Sequence, residues 1–195
     1  ELREAVTNIS HDLRTPLTAI CGYLDLMQSQ PMSESTKRYV SLISERTSAL
    51  KLLTEELFRY SIILSADEEP SLADISLNAA VEDAVAGFYG ALTGRGITPE
   101  ISICENEVIR KLDKGFVSRI LGNVLSNALK YSDGDLGVTL SPDGVITVSN
   151  TAASLSEVQV GRLFDRFYTV EAARSSTGLG LSIAKTLCEK MGGSI

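Results

Sequence analysis

The chain has 195 residues, 44% hydrophobic and 22% charged, a balance that suits a globular protein with at least one buried core. A net charge of −7 argues against a nucleic-acid binder, which would carry a basic face. The cysteines Cys21, Cys104 and Cys188 form no C-x-x-C pair, so neither a zinc site nor a disulfide framework is expected and a reducing compartment is implied.

Residues 1–66 carry helical periodicity only. Val6, Leu13, Ile20 and Met27 repeat every seven residues, with Leu2, Ile9 and Tyr23 as a companion stripe. After Gln30-Pro31-Met32-Ser33 a second series follows, Ile43, Leu50, Leu57 and Leu64, flanked by Leu53 and Tyr60. The pattern predicts a helical hairpin with coiled-coil-like seams. Two helices cannot bury such stripes alone, so a four-helix bundle formed by dimerisation is expected. The single histidine, His11, follows Ser10 in the run His11-Asp12-Leu13-Arg14-Thr15-Pro16-Leu17. With Val6 and Leu13 at heptad position a, His11 falls at f, away from the seam. Pro16 removes an amide donor and should bend or loosen the helix beside it.

A linker is expected near Asp67-Glu68-Glu69-Pro70, and from about Ser71 the pattern becomes mixed α/β. Ala73 to Leu77 reads as a strand and Asn78 to Leu92 as an amphipathic helix ended by Gly94-Arg95-Gly96. Glu100 to Cys104 and Val108 to Leu112 read as short strands. Asp113 to Tyr131 is a helix capped by Asp113. Leu136 to Leu140 and Val145 to Ser149 form a hairpin across the turn Pro142-Asp143-Gly144. A helix over Ser156 to Phe164, a polar loop and a helix over Leu181 to Lys190 complete the pattern. No apolar run approaches the roughly 20 residues needed to span a bilayer. Both ends read as cut, so the chain is expected to be a fragment of a longer protein.

Three later elements carry candidate chemistry. Asn123 and Asn127 are one helical turn apart and Lys130 lies three residues beyond, so the three share a face. Asparagine is a mediocre helix former; a neutral amide oxygen is a suitable magnesium ligand and an ammonium suits a polyphosphate. The alternative is two exposed amides on a solvated face. Ser175-Ser176-Thr177-Gly178-Leu179-Gly180-Leu181 leads into the last helix, where two glycines let backbone amides approach an anion; Thr177 as an ordinary N-cap is the bland alternative. Phe164-Asp165-Arg166-Phe167-Tyr168 places aromatics before a polar stretch that could act as a lid, although such spacing usually means core.

Taken in order, these elements resemble the sensor histidine kinases of two-component signalling over nearly the whole chain. S-H-D-L-R-T-P-L resembles the family's phosphoacceptor box, Leu121 to Ser132 its asparagine box, L-F-D-R-F-Y its phenylalanine box and S-T-G-L-G-L its second glycine box. The resemblance implies a phosphate-receiving hairpin over 1–66 and, over 71–195, an ATP-binding α/β sandwich of the histidine-kinase/gyrase ATPase type. It implies His11 as nucleophile, Asp12 as the carboxylate that orients it and accepts a proton, and Thr15 as the hydroxyl aligning a water for phosphatase action. Asn127 and Asn123 would hold Mg2+ on ATP, Lys130 would neutralise phosphate charge, and Tyr131 would line the nucleotide. Gly178 and Gly180 would let the lid cross the phosphates, and Arg174 would contact the γ-phosphate. A homodimer and a response regulator receiver domain are the implied partners. The chain is implied to be cytoplasmic, its parent anchored in the bacterial membrane by segments outside it.

Two departures stand out. Where the family's first glycine box reads D-x-G-x-G, this chain has Asn150-Thr151-Ala152-Ala153-Ser154-Leu155. Asn150 keeps an acceptor for the adenine amino group, but a neutral one, which predicts weaker nucleotide binding. The family's last strands, expected after Gly192-Gly193, are also absent. Competing readings are a weakly or non-catalytic docking and phosphatase module, or an ATPase of the gyrase or mismatch-repair type. The second lacks a histidine-bearing hairpin.

Overall fold

The computed structural model describes residues 2–64, 69–170 and 177–195, and the side chains of 9, 12–55, 69–170 and 177–195. The chain divides into two compact units, one built on the N-terminal hairpin, the other on Glu69–Val170 with Gly180–Ile195.

In the first unit, α1 (Leu2–Gln28) packs against α2 (Glu34–Leu64). Ser33 starts α2, its Oγ accepting from the Thr36 amide at 3.2 Å and its carbonyl from Lys37 at 2.9 Å. Pro16 lies inside α1 without interrupting it. The predicted stripes stay outward in the single chain, and a second set of residues makes the contact between the two helices. Leu13, Ile20, Met27, Ile43 and Leu50 are all 43–52% exposed in the single chain, and the buried contact is made by Leu17 and Leu24 with Val40, Thr47 and Thr54. Those buried positions also repeat at seven. The two threonines tolerate burial because each hydroxyl donates to the carbonyl one turn back, Thr47 to Ile43 at 2.8 Å and Thr54 to Leu50 at 2.9 Å. The hairpin thus has two adjacent stripes, and the one predicted as a seam faces outward. The side chains of Leu2, Val6, Leu57, Tyr60 and Leu64 lie outside those described.

The second unit begins with β1 (Ala73–Ser76), α3 (Leu77–Gly94), β2 (Glu100–Ile103), β3 (Ile109–Leu112) and α4 (Lys114–Tyr131). It continues with β4 (Gly137–Leu140), β5 (Ile146–Ser149), α5 (Glu157–Gly161) and α6 (Gly180–Lys190). Strands β1 and β3 pair antiparallel. Strands β2, β4 and β5 form a second sheet with β4 central, parallel to β2 and antiparallel to β5, Val138 opposite Val148. Alternation sets the inner face of β4, where Val138 and Leu140 are buried and Thr139 is exposed. Against that sheet pack Val81, Val85 and Leu92 of α3 and Val117, Leu121, Leu125 and Ala128 of α4. Ile183, Ala184 and Leu187 bury the inner face of α6, which packs on α4.

Local chemistry fixes the ends. Asp113 caps α4 by accepting from the Phe116 amide at 2.9 Å, as predicted. Gly144, at φ +89°, closes the β4–β5 turn, its amide donating to Ser141 at 2.9 Å. The helix expected over Ser156 to Phe164 is shorter. Ser156 and Gln159 make a capping box, but α5 stops at Gly161 and the chain continues in turns to Tyr168. Phe167 there has φ +61°, a left-handed conformation a helix cannot accept. The expected linker residues Asp67 and Glu68 lie outside the described residues. Among the described residues no helix is long and apolar enough to cross a membrane.

Candidate functional site

On α4 one face is committed to the core through Phe116, Val117, Leu121, Leu125, Ala128 and Leu129. The helical period leaves Asn123, Asn127 and Lys130 together on another face, each half-buried. This excludes the bland alternative of amides on a fully solvated surface. Lys130 Nζ lies 5.4 Å from the centre of the Tyr131 ring, itself half-buried.

The N-terminus of α6 meets this face. Gly180 opens the helix, and a Cβ placed on it would stand 3.7 Å from Asn123 Oδ1. That is ordinary contact distance, so Gly180 and the Asn123 amide lie side by side. Two side-chain amides, a lysine and the N-terminal end of an 11-residue helix are a donor set of the kind that suits a magnesium-bound polyphosphate. Gly178, outside this unit, has φ +68°, so glycine there serves backbone conformation. Thr177 is not the N-cap of α6, which begins at Gly180; its hydroxyl accepts from the Leu179 amide at 3.3 Å in the preceding turn. Arg174, with Ser175 and Ser176, lies outside the described residues.

Asn150 directly follows β5 and is half-buried, and its Nδ2 donates to the Thr151 carbonyl at 3.2 Å. The turn after it is fastened to the loop that follows α4. Asp135 accepts from the Thr151 amide at 2.8 and 2.9 Å and from its hydroxyl at 2.8 Å. Asp133 accepts from the Ala153 amide at 2.7 Å. The Thr151 hydroxyl and then its amide hold the exposed Asp135 carboxyl below the ordinary carboxylate range. These contacts cross 16 and 20 positions of sequence, so local reading missed them.

In the hairpin, His11 lies within α1, and its side chain is outside those described. Asp12 and Thr15 are exposed on the same helix.

Two family descriptions match the chain: the His Kinase A phospho-acceptor domain over residues 1–65, and the histidine kinase-, DNA gyrase B- and HSP90-like ATPase over 112–195. Sensor histidine kinase YcbM of Bacillus subtilis is 34% identical over 205 residues, covering 100% of this chain and 66% of that protein. Sensor protein VanSC of Enterococcus gallinarum is 30% identical, covering 98% of this chain and 56% of its own length. This chain belongs to the sensor histidine kinases.

Solved structures agree on the fold. ShkA, crystallised at full length in complex with AMPPNP, superposes with a TM-score of 0.76 at 23% identity, covering 98% of this chain and 42% of ShkA. Acinetobacter baumannii histidine kinase AdeS gives 0.60 at 21%, covering 92% and 86%. The chain spans from about a third to two thirds of the curated relatives it matches.

Within the kinase, the phenylalanine box is not core as its spacing alone suggested. Phe167 is 55% exposed, and the Arg162 guanidinium lies 4.3 Å from the Tyr168 ring centre while its Nε pairs with Asp165 at 3.2 Å. The turn after β5 is a glycine-free segment tied down by Asp133 and Asp135.

Proposed function

We propose that this chain is a kinase core that uses ATP to phosphorylate His11 and passes the phosphoryl group to an aspartate of a response regulator receiver domain. The observation that carries the reading is the half-buried face of Asn123, Asn127 and Lys130, with Gly180 at the start of α6 beside Asn123. Asn127 and Asn123 would hold Mg2+, which when bound neutralises phosphate charge. Lys130 would do the same for the phosphates, Tyr131 would line the nucleotide, and Asn150 would accept from the adenine amino group. Arg174 is assigned to the γ-phosphate by the family resemblance alone.

The chemistry is an in-line displacement. An imidazole nitrogen of His11 forms the new bond to the γ-phosphorus as the bond to the ADP oxygen breaks, and ADP leaves. Asp12 orients the ring and takes its proton. Thr15, one turn after His11, would align a water against the receiver's phospho-aspartate and give the protein phosphatase activity.

The exposed stripe of Leu13, Ile20, Met27, Ile43 and Leu50 supports a homodimeric four-helix bundle. A membrane anchor and a sensing segment would lie in parts of the whole protein outside this chain.

The nucleotide site is tested by incubating the chain with MgATP and following its intact mass. One phosphoryl group should be added to the unmodified chain and none to Asn127→Ala. Equal phosphorylation of both would refute the assigned site.

A further inference from the structure

We propose that Asp135 is a positioning residue for recognition of the nucleotide base, holding Asn150 ready through Thr151; this rests on the nucleotide-binding reading above. The connection is a chain of hydrogen bonds. Asp135 fixes Thr151 at both its amide and its hydroxyl. The Thr151 carbonyl then accepts from the Asp133 amide at 2.9 Å and from Asn150 Nδ2 at 3.2 Å. With Nδ2 engaged, Asn150 presents Oδ1 as its acceptor. An acceptor is what the exocyclic amino group of adenine requires, and what a 6-oxo purine does not.

Within its own loop the Asp135 carboxylate makes one long contact, Oδ1 accepting from Ser132 Oγ at 3.3 Å. Ser132 Oγ already accepts from the Gly134 and Asp135 amides, both at 2.9 Å, and Gly134 supplies φ +124°. The carboxylate's shorter contacts go to a residue 16 positions away, in the turn where the family's glycines are replaced. Asp133 secures the same turn at Ala153. The loop also continues directly from α4, so the helix carrying Asn123, Asn127 and Lys130 sets the position of the base-reading turn.

The test is calorimetric titration of the chain with ADP and with IDP in magnesium, for the unmodified protein, Asp135→Asn and Thr151→Val. The unmodified chain should prefer ADP. Asp135→Asn should weaken ADP about tenfold, the equivalent of one charge-assisted hydrogen bond, leave IDP unchanged and so erase the preference. Thr151→Val, which loses only the hydroxyl contact, should move the preference the same way by less, and it keeps the test decisive if Asp135→Asn does not fold. An unchanged ADP preference in the variants, or equal weakening of both nucleotides, overturns the positioning role and leaves the kinase reading intact. An unmodified chain that binds neither nucleotide overturns the nucleotide-binding reading, and the proposal with it.

Discussion

Replacing Ile20 by Asp tests what the outward stripe is for. In the single chain Ile20 is 43% exposed, and Leu13, Met27, Ile43 and Leu50 are 44–52% exposed, so each retains about half its side chain for a partner. Full burial of such a side chain contributes about 1.5–3 kcal/mol, so closing the remaining half is worth about 1 kcal/mol per residue. Both copies contribute, so the five positions supply on the order of 10 kcal/mol, within the range that offsets the entropic cost of association. Ile20→Asp removes that term twice and places two carboxylates in an apolar seam, where each unpaired charge costs several kcal/mol. The dimer dissociation constant should rise by a factor of about a thousand or more, since every 1.4 kcal/mol is tenfold. Sedimentation equilibrium measures this directly. Helix content by circular dichroism should hardly change, because the intrachain seam of Leu17, Leu24 and Val40 is untouched. Tyr89→Asp, at an exposed position on α3, is the matched control. A variant that stays dimeric, or an unmodified chain that is monomeric at high concentration, would refute the assignment of this stripe.

Leu125, 1% exposed between α4 and the sheet, should cost about 3 kcal/mol on truncation to Ala, read by chemical denaturation of the second unit. Asn150→Asp exchanges a neutral acceptor for a charged one but loses the Nδ2 bond to Thr151. ATP affinity should rise by about three- to tenfold in direct binding, and an unchanged affinity for ATP would show that Asn150 does not receive the base. Asp135 has a lowered pKa through the hydroxyl and amide of Thr151, so its stabilisation is complete above the ordinary Asp value of about 3.9 and is lost as pH falls through the lowered one. Acid denaturation followed below about pH 4 should be shallower in Asp135→Asn, and identical acid limbs would contradict that coupling.

Features set by neighbours in sequence were legible from it. The Asp113 cap, the Pro142-Asp143-Gly144 turn and the shared face of Asn123, Asn127 and Lys130 depend on spacings of about two helical turns or less. The hairpin's heptads were legible too, but two stripes repeat at seven, and periodicity alone does not say which meets the partner helix. Thr47 and Thr54 hid the inner stripe because their hydroxyls are satisfied within the helix. α5 ends at its C-cap, Arg162, whose side chain turns to Tyr168 and Asp165, which no periodic pattern announces. The ties from Asp133 and Asp135 to Thr151 and Ala153 arise only when β4 and β5 pair and bring their flanking loops together.

The central claim is that His11 receives a phosphoryl group from ATP. The most direct measurement is incubation of the chain with γ-labelled ATP and magnesium beside His11→Gln, followed by acid and base treatment of the labelled protein. The account predicts label that is acid-labile and base-stable on the unmodified chain and absent from the variant. Label that persists in His11→Gln, or none on an unmodified chain that binds MgATP, would contradict it.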